Sequence, residues 1–428
     1  MNLTEHRIPA DAFDALASGG GGGSAMRRLS AAQYSKHLLL IRGVLDVARA
    51  AGHARWAQTR RAYDLLATLQ SQYPEAVDRV LQHPSVGAWA RHTIRTRQCP
   101  EQLAALAAAV AIRARTTCEV DVPVVGGKAT LPSLGQVSFP DGVTMATVHC
   151  WPEGAEVSAG GIVVEIRDGV PGWQGLRALT AESAGKRLDL LIDDLDPHRM
   201  PGSSDLRDRL TSAQADHWRR VLEQSWELLV SHHAPVADEV SAAITVLTPL
   251  DDPAVGAASA TSRDAYGCIA LSTPPDPRTL AETLTHEAQH AKLSALLDIV
   301  TLTRPDDGSR YYAPWREDPR PAGGLLQGSY AYLGVTDFWR RQRRHETGES
   351  EIRASAEFAR WRSAARLVTG TLLDSGRLTE HGVTFVDGMA RRLDAWADEP
   401  VPAQAAALAA RAADRHRERW RQNNGDLG

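Results

Sequence analysis

The chain has 428 residues, of which 43% are hydrophobic and 23% charged. That length suits two or three modules of ordinary size, and the balance excludes wholesale disorder, collagen and coiled coil. Formal net charge is −4, so composition directs the chain neither to nucleic acid nor to an anionic membrane. Four cysteines (Cys99, Cys118, Cys150, Cys268) stand far apart with no CxxC pair, which reads as reduced thiols. The opening MNLTEHRIPADAF lacks the apolar core of a secretory signal, and no apolar run reaches the ~18 residues of a membrane span. A cytoplasmic location without a membrane partner is expected.

Residues 1–117 read as a helical region. Apolar residues recur near a 3.6 period in 31–51, 54–70 and the alanine-rich 101–115, and the glycine run 19–23 reads as a loop between the first two helices. From Cys118 the period becomes two, with β-branched residues bounded by Gly, Pro and Asp; 118–200 is expected to be a small β-rich module. The remainder, 201–428, alternates again: a helix over 213–232, strands over 241–250 and 266–272, then helices over 279–299, 323–344, 350–374 and 377–397, with an Ala- and Arg-rich tail. The expected class is α+β, mostly helical, with an inserted small antiparallel β module.

Chemistry concentrates in LAETLTHEAQHAKLSALLDIV. His286 and His290 lie four apart on a predicted helix, so both imidazoles leave one face about a turn apart. That spacing suits two ligands of one divalent ion, and Glu287 beside them can reach a metal-bound water. A metzincin requires glycine and a third histidine where this chain has Leu293 and Leu296, which excludes that family. Downstream, Arg316 and Arg320 stand among prolines (Pro314, Pro319, Pro321), and arginine forks grip carboxylates bidentately. Tyr311, Tyr312, Trp315, Tyr330, Tyr332, Phe338 and Trp339 gather in the same stretch of a chain with only 6% aromatics, as a pocket wall would require.

Taken as a set, THEAQHAKLSALLD, YYAPWREDPRP, GGLLQGSYAYLGVTDFW, EFARWR and the opening HRIPADAFDALASGGGG resemble the actinobacterial HEXXH-motif proteins that accompany radical-SAM maturases of ribosomally made peptides. The resemblance covers nearly the whole chain. It implies an iron(II)- and 2-oxoglutarate-dependent dioxygenase that β-hydroxylates a residue of a precursor peptide, on a fold other than the double-stranded β-helix. It also implies a radical-SAM maturase as a further partner. His286 and His290 match the motif histidines and would hold iron; Arg316 and Arg320, with Tyr312, would bind oxoglutarate; Glu287 would orient a ligand. Iron oxygenases hold the metal by three protein groups, and here Gln327 (in LLQG) and Glu357 (in EFARWR) are both open as the third. His345, His381 and Asp264 read as solvated or turn residues. The alternatives are a zinc peptidase trimming a leader, with Glu287 as base, and a metal-free peptide-binding scaffold.

Overall fold

Two hydrophobic cores share one long helix. In a computed structural model describing residues 5–425, α1 (Ala10–Ala17) leads through a glycine turn into α2 (Gly22–Ala50). With 29 residues, α2 spans about 43 Å at 1.5 Å per residue. Its first turns bury Ala25, Met26 and Leu29 in one core, and its later turns bury Leu38, Ile41 and Val44 in the other.

The second core is completed by α3 (Trp56–Gln72), α4 (Pro74–Leu81), α5 (Pro84–Thr96) and α6 (Leu103–Ala114), packed on short strands. Pro74 and Pro84 each occupy the first helical position, where a missing N–H costs nothing, and so restart the chain as helix within the region expected to be helical, between the segments whose period was marked. In α6 every residue from Leu103 to Ala111 is buried. Against it lie β1 (Cys118–Pro123), β2 (Lys128–Leu131), β3 (Gly135–Ser138), β4 (Met145–Trp151), β5 (Gly154–Ala159), β6 (Ile162–Glu165) and β7 (Trp173–Gly175). These form two antiparallel sheets, ordered β1-β4-β5-β6 and β2-β3-β7. Alternate residues of β4 are buried, as the period of two predicts.

The first core is built on β8 (Arg177–Ser183), β9 (Lys186–Ile192), α7 (Ser212–His232), α8 (Ala234–Ala243), β10 (Val246–Pro249), β11 (Ser259–Ala260) and β12 (Cys268–Leu271). Helices α9 (Pro277–Leu296), α10 (Ala322–Gln342), α11 (Glu349–Asp374), α12 (Glu380–Asp394) and α13 (Ala403–Asn424) follow. The sheet runs β11-β12-β10-β9-β8, with β10 parallel to both its neighbours and both edge pairs antiparallel. Strands β10 and β12 are buried throughout, so their sequences are continuous rather than alternating.

The chain is therefore α+β, about 53% helical, with small sheets and no closed barrel. The inserted sheets are antiparallel as expected. Strands β8 and β9 differ: they fall within 118–200 but pair with each other and with β10 of the C-terminal region. The strand expected over 241–250 begins only at Val246, because α8 carries Val240 and Ala243 into the core first. No described helix is long and apolar enough to cross a membrane.

Candidate active site

Helix α9 starts sharply. Asp276 accepts a hydrogen bond from the Thr279 amide at 3.0 Å, and Pro277 presets the first turn. Leu280, Ala281, Leu284, Ala288 and Ala291 then bury one face, leaving His286 and His290 on the face turned to a cavity of about 640 Å³. Their Nε2 atoms approach to 3.1 Å. Gln327 of α10 holds the other edge of His290, its Oε1 accepting from Nδ1 at 3.1 Å while its Nε2 donates to Ser294 Oγ at 3.3 Å. With Nδ1 carrying the proton, Nε2 of His290 keeps its lone pair toward His286. Burial above all, and after it the neighbouring His290, pushes His286 down to about 3, so the His286 ring is neutral. Two imidazoles with converging nitrogens fit a divalent ion.

Glu287 lies on the same floor. Its Oε1 accepts from Ser259 Oγ of β11 at 2.7 Å and stands 4.0 Å from His286 Nε2; its Oε2 is buried without a hydrogen-bond partner. An orphaned buried carboxylate oxygen beside paired imidazoles is a group that lacks a counter-charge.

The opposite wall is the start of α10. Pro321 offers no side-chain cap, so the first amides of this 21-residue helix, including Gly323 and Gly324 at the pocket, have no partner in the helix. Arg316 and Arg320 reach the same rim, both bonded to Asp318, at 2.7 and 2.8 Å. The two guanidiniums hold the Asp318 carboxyl down to about 2. Two cations against one anion leave a surplus positive charge at an uncapped helix start, a natural seat for a carboxylate.

An aromatic stack closes the third side. Tyr332 lies 4.9 Å from Trp315 and 4.1 Å from Trp361 (ring centroids), with the His286 ring edge-on at 5.2 Å. Gly328 makes this possible: a Cβ there would overlap the Trp315 indole.

Behind the floor, the glycine run is held firmly. Lys292, buried on the far side of α9, donates to Gly19 O (3.1 Å), Gly20 O (3.0 Å) and Glu239 Oε2 (2.7 Å). Gln289 Nε2 also donates to Gly19 O, and Glu239 Oε1 accepts from the Gly22 amide. The run read from sequence as a loop is a strap across the back of α9, its last residues already helical.

The structure thus brings together His286, His290, Glu287, Gln327, Arg316 and Arg320, all lining one pocket. It does not bring Tyr312 there. Its hydroxyl bonds His416 Nδ1 at 3.0 Å, its ring meets Trp420, and it lines a separate groove between α11 and α13. Tyr312 is corrected to a packing residue of α13, because the next aromatic in the loop, Trp315, takes the pocket side. Gln327 sits on the nitrogen of His290 away from His286, which suits a ligand-orienting residue rather than a third ligand. Glu357 does not line the pocket; it lies 4.0 Å from Arg360, and its charge helps burial raise Glu282 to about 7. Among the described residues no three His, Cys, Asp or Glu side chains converge as a metal cage. Asp264 pairs with Arg91, and His345 stacks on His232, both off the pocket. Sequence reasoning missed Ser259, Ser294 and the α10 amides; only the glycine pair after Pro321 carried a readable signal. Comparison with protein-family models finds no match, and comparison with curated proteins finds none either.

Proposed function

We propose that the protein is an iron(II)- and 2-oxoglutarate-dependent dioxygenase that hydroxylates a residue of a peptide, in line with its resemblance to the HEXXH-motif peptide hydroxylases. The observation that carries this reading is the meeting, in one pocket, of two imidazoles with converging nitrogens and two arginines at an uncapped helix start. His286 and His290 would hold the iron, and Gln327 fixes the tautomer of His290. Arg320 and Arg316, with the α10 amides, take the distal carboxylate of oxoglutarate. Trp315, Tyr332 and Trp361 keep water from that wall. Bound iron with oxoglutarate and O2 would supply the oxidation, releasing succinate and carbon dioxide while one oxygen enters the peptide. A cytoplasmic setting, a precursor peptide as substrate and a radical-SAM maturase as partner belong to the same proposal.

Glu287 favours a second reading, a zinc peptidase, since its unpaired oxygen stands near the imidazoles where a general base would. Against it, Ser259 already occupies Oε1 and the pocket offers no further carboxylate as third ligand. Protein purified without oxygen decides between them by its metal content and by oxoglutarate turnover. Iron with oxoglutarate-dependent release of carbon dioxide is expected, and His286→Ala or His290→Ala should lower bound metal to background while the fold persists. Stoichiometric zinc, peptide cleavage and no affinity for oxoglutarate would overturn the hydroxylase.

A further inference from the structure

Strand β11 is the open edge of its sheet, and Ser259, Ala260 and Thr261 all line the pocket that holds His286 and His290. The ladder settles which way its backbone faces. Leu271 O accepts from Leu250 N on the β10 side of β12, whereas Ser272 N donates to Ala258 O on the β11 side. Hydrogen-bonding direction alternates along a strand, so with Ala260 opposite Ala270 the inward-bonding residues are Ala258 and Ala260. Ser259 and Thr261 turn their N–H and C=O groups outward, to the side where no described strand adds.

An edge of unpaired amides and carbonyls is complemented by another extended backbone. We propose that the peptide substrate binds as an added strand along β11, with the residue to be modified directly opposite Ser259. The inference rests on the reading of the pocket as a peptide-modifying site and names how that peptide is held. Its register follows from side-chain direction. Residues directly opposite in a ladder put their side chains on the same face, and Ser259 sends its own down to Glu287. The peptide side chain opposite Ser259 therefore descends toward the histidines, while its immediate neighbours point away. A new strand lies only about 4.8 Å from β11, which keeps that side chain over the pocket. Backbone pairing fixes position, and the pocket reads one side chain in two. Ser259 joins the two functions, since one residue borders the added strand and holds the motif carboxylate.

The test uses the full-length protein with iron and oxoglutarate under nitrogen. Random dodecapeptides are selected for binding by mRNA display, and each amide of the tightest binder is then N-methylated in turn. The expected profile has a period of two: about tenfold weaker binding at alternate amides, those facing β11, and little change between them. On the protein side, Thr261→Pro removes an outward donor while sparing the inward bonds of Ala258 and Ala260, the one place an edge tolerates proline. It should weaken the peptide about tenfold and leave metal content and oxoglutarate affinity unchanged; Thr261→Ala should bind as wild type. A profile without alternation, a library without binders, or wild-type affinity in a folded Thr261→Pro overturns the proposal. Should that variant not fold, the methylation profile on the wild-type protein still decides. Wild-type protein that ignores oxoglutarate yet gives the alternating profile would instead sink the hydroxylase reading alone.

Discussion

Replacing Lys292 by methionine keeps the buried stem and deletes the charge, which isolates what the ammonium does behind α9. Lys292 and Glu239 are 1% and 4% exposed at their side chains and lie 2.7 Å apart. Burial raises the Glu239 carboxyl and lowers the Lys292 ammonium, and each partner's charge opposes that drift in the other. In Lys292→Met, Glu239 retains only the Gly22 amide, Gly20 O loses its ammonium donor, and Gly19 O falls back on Gln289. Breaking one side of a buried pair costs about 3–5 kcal/mol. At roughly 2 °C per kcal/mol for a large domain, the thermal midpoint should fall by about 6–10 °C. Calorimetry at pH 7 measures it, and a cycle with Glu239→Gln separates the pair from the methionine. Once Glu239 is uncharged, the same Lys292→Met change should cost roughly half as much or less. A Lys292→Met protein melting within 1 °C of wild type would show that the strap and its lysine do not hold α9.

Three further outcomes follow from the pocket and its surroundings. Arg320→Lys should weaken oxoglutarate about tenfold in a direct titration and Arg316→Lys by less, because lysine loses the fork and Arg316 is the more exposed, 54% against 34%; unchanged affinity in both would remove the arginines from the site. Gly328→Ala should displace Trp315, costing about 1–3 kcal/mol and shifting tryptophan fluorescence, whereas a wild-type spectrum and stability would mean the indole is free to move. Asp193, fully buried, is pushed up to about 7 by burial and then by the charge of Asp196. Its protonated form is the one that folding favours, so its contribution is complete below about pH 4, the unfolded value, and is lost as pH rises through 7. Wild type should therefore hold an advantage over Asp193→Asn that shrinks by up to about 4 kcal/mol across that range, followed as the difference in melting temperature; a difference independent of pH would show the carboxyl to be ionised throughout.

The metal-helix pattern was legible because its signals are local. His286 and His290 need only helical spacing, and α9 announces itself by Asp276 and Pro277. The arginine rim was legible for the same reason, since Arg316 and Arg320 are separated by three residues that end in Pro319. What escaped reading depends on partners distant in sequence. Ser259 meets Glu287 only because β11 folds back on β12, and two residues of edge strand leave no periodic trace. The glycine run looks like a linker until Lys292, more than 270 residues away, is found bonded to its carbonyls. Tyr312 and Trp315 are both aromatic, three positions apart, and their composition cannot say which faces the cavity; α13 claims the first by offering His416 and Trp420. Strands β8 and β9 carry the same alternation as the strands before them, so the sheet they join is decided by β10, not by their own sequence.

The sharing of α2 between two cores has a consequence for synthesis. The second core draws on residues from Leu38 to Val164, whereas the first needs Leu16–Leu29 together with residues from Leu179 to Trp396. On a ribosome adding ~5–20 residues per second, the second core can close on the order of 10–50 s before the last helix of the first has emerged. During that interval α2 is anchored at one end, while Ala25, Met26 and Leu29 at the other wait for α8 and the helices after it before their core can close. The pocket thus belongs to the later core to close, and a chain stopped before α10 would leave the ribosome with a folded middle and apolar ends that invite chaperones.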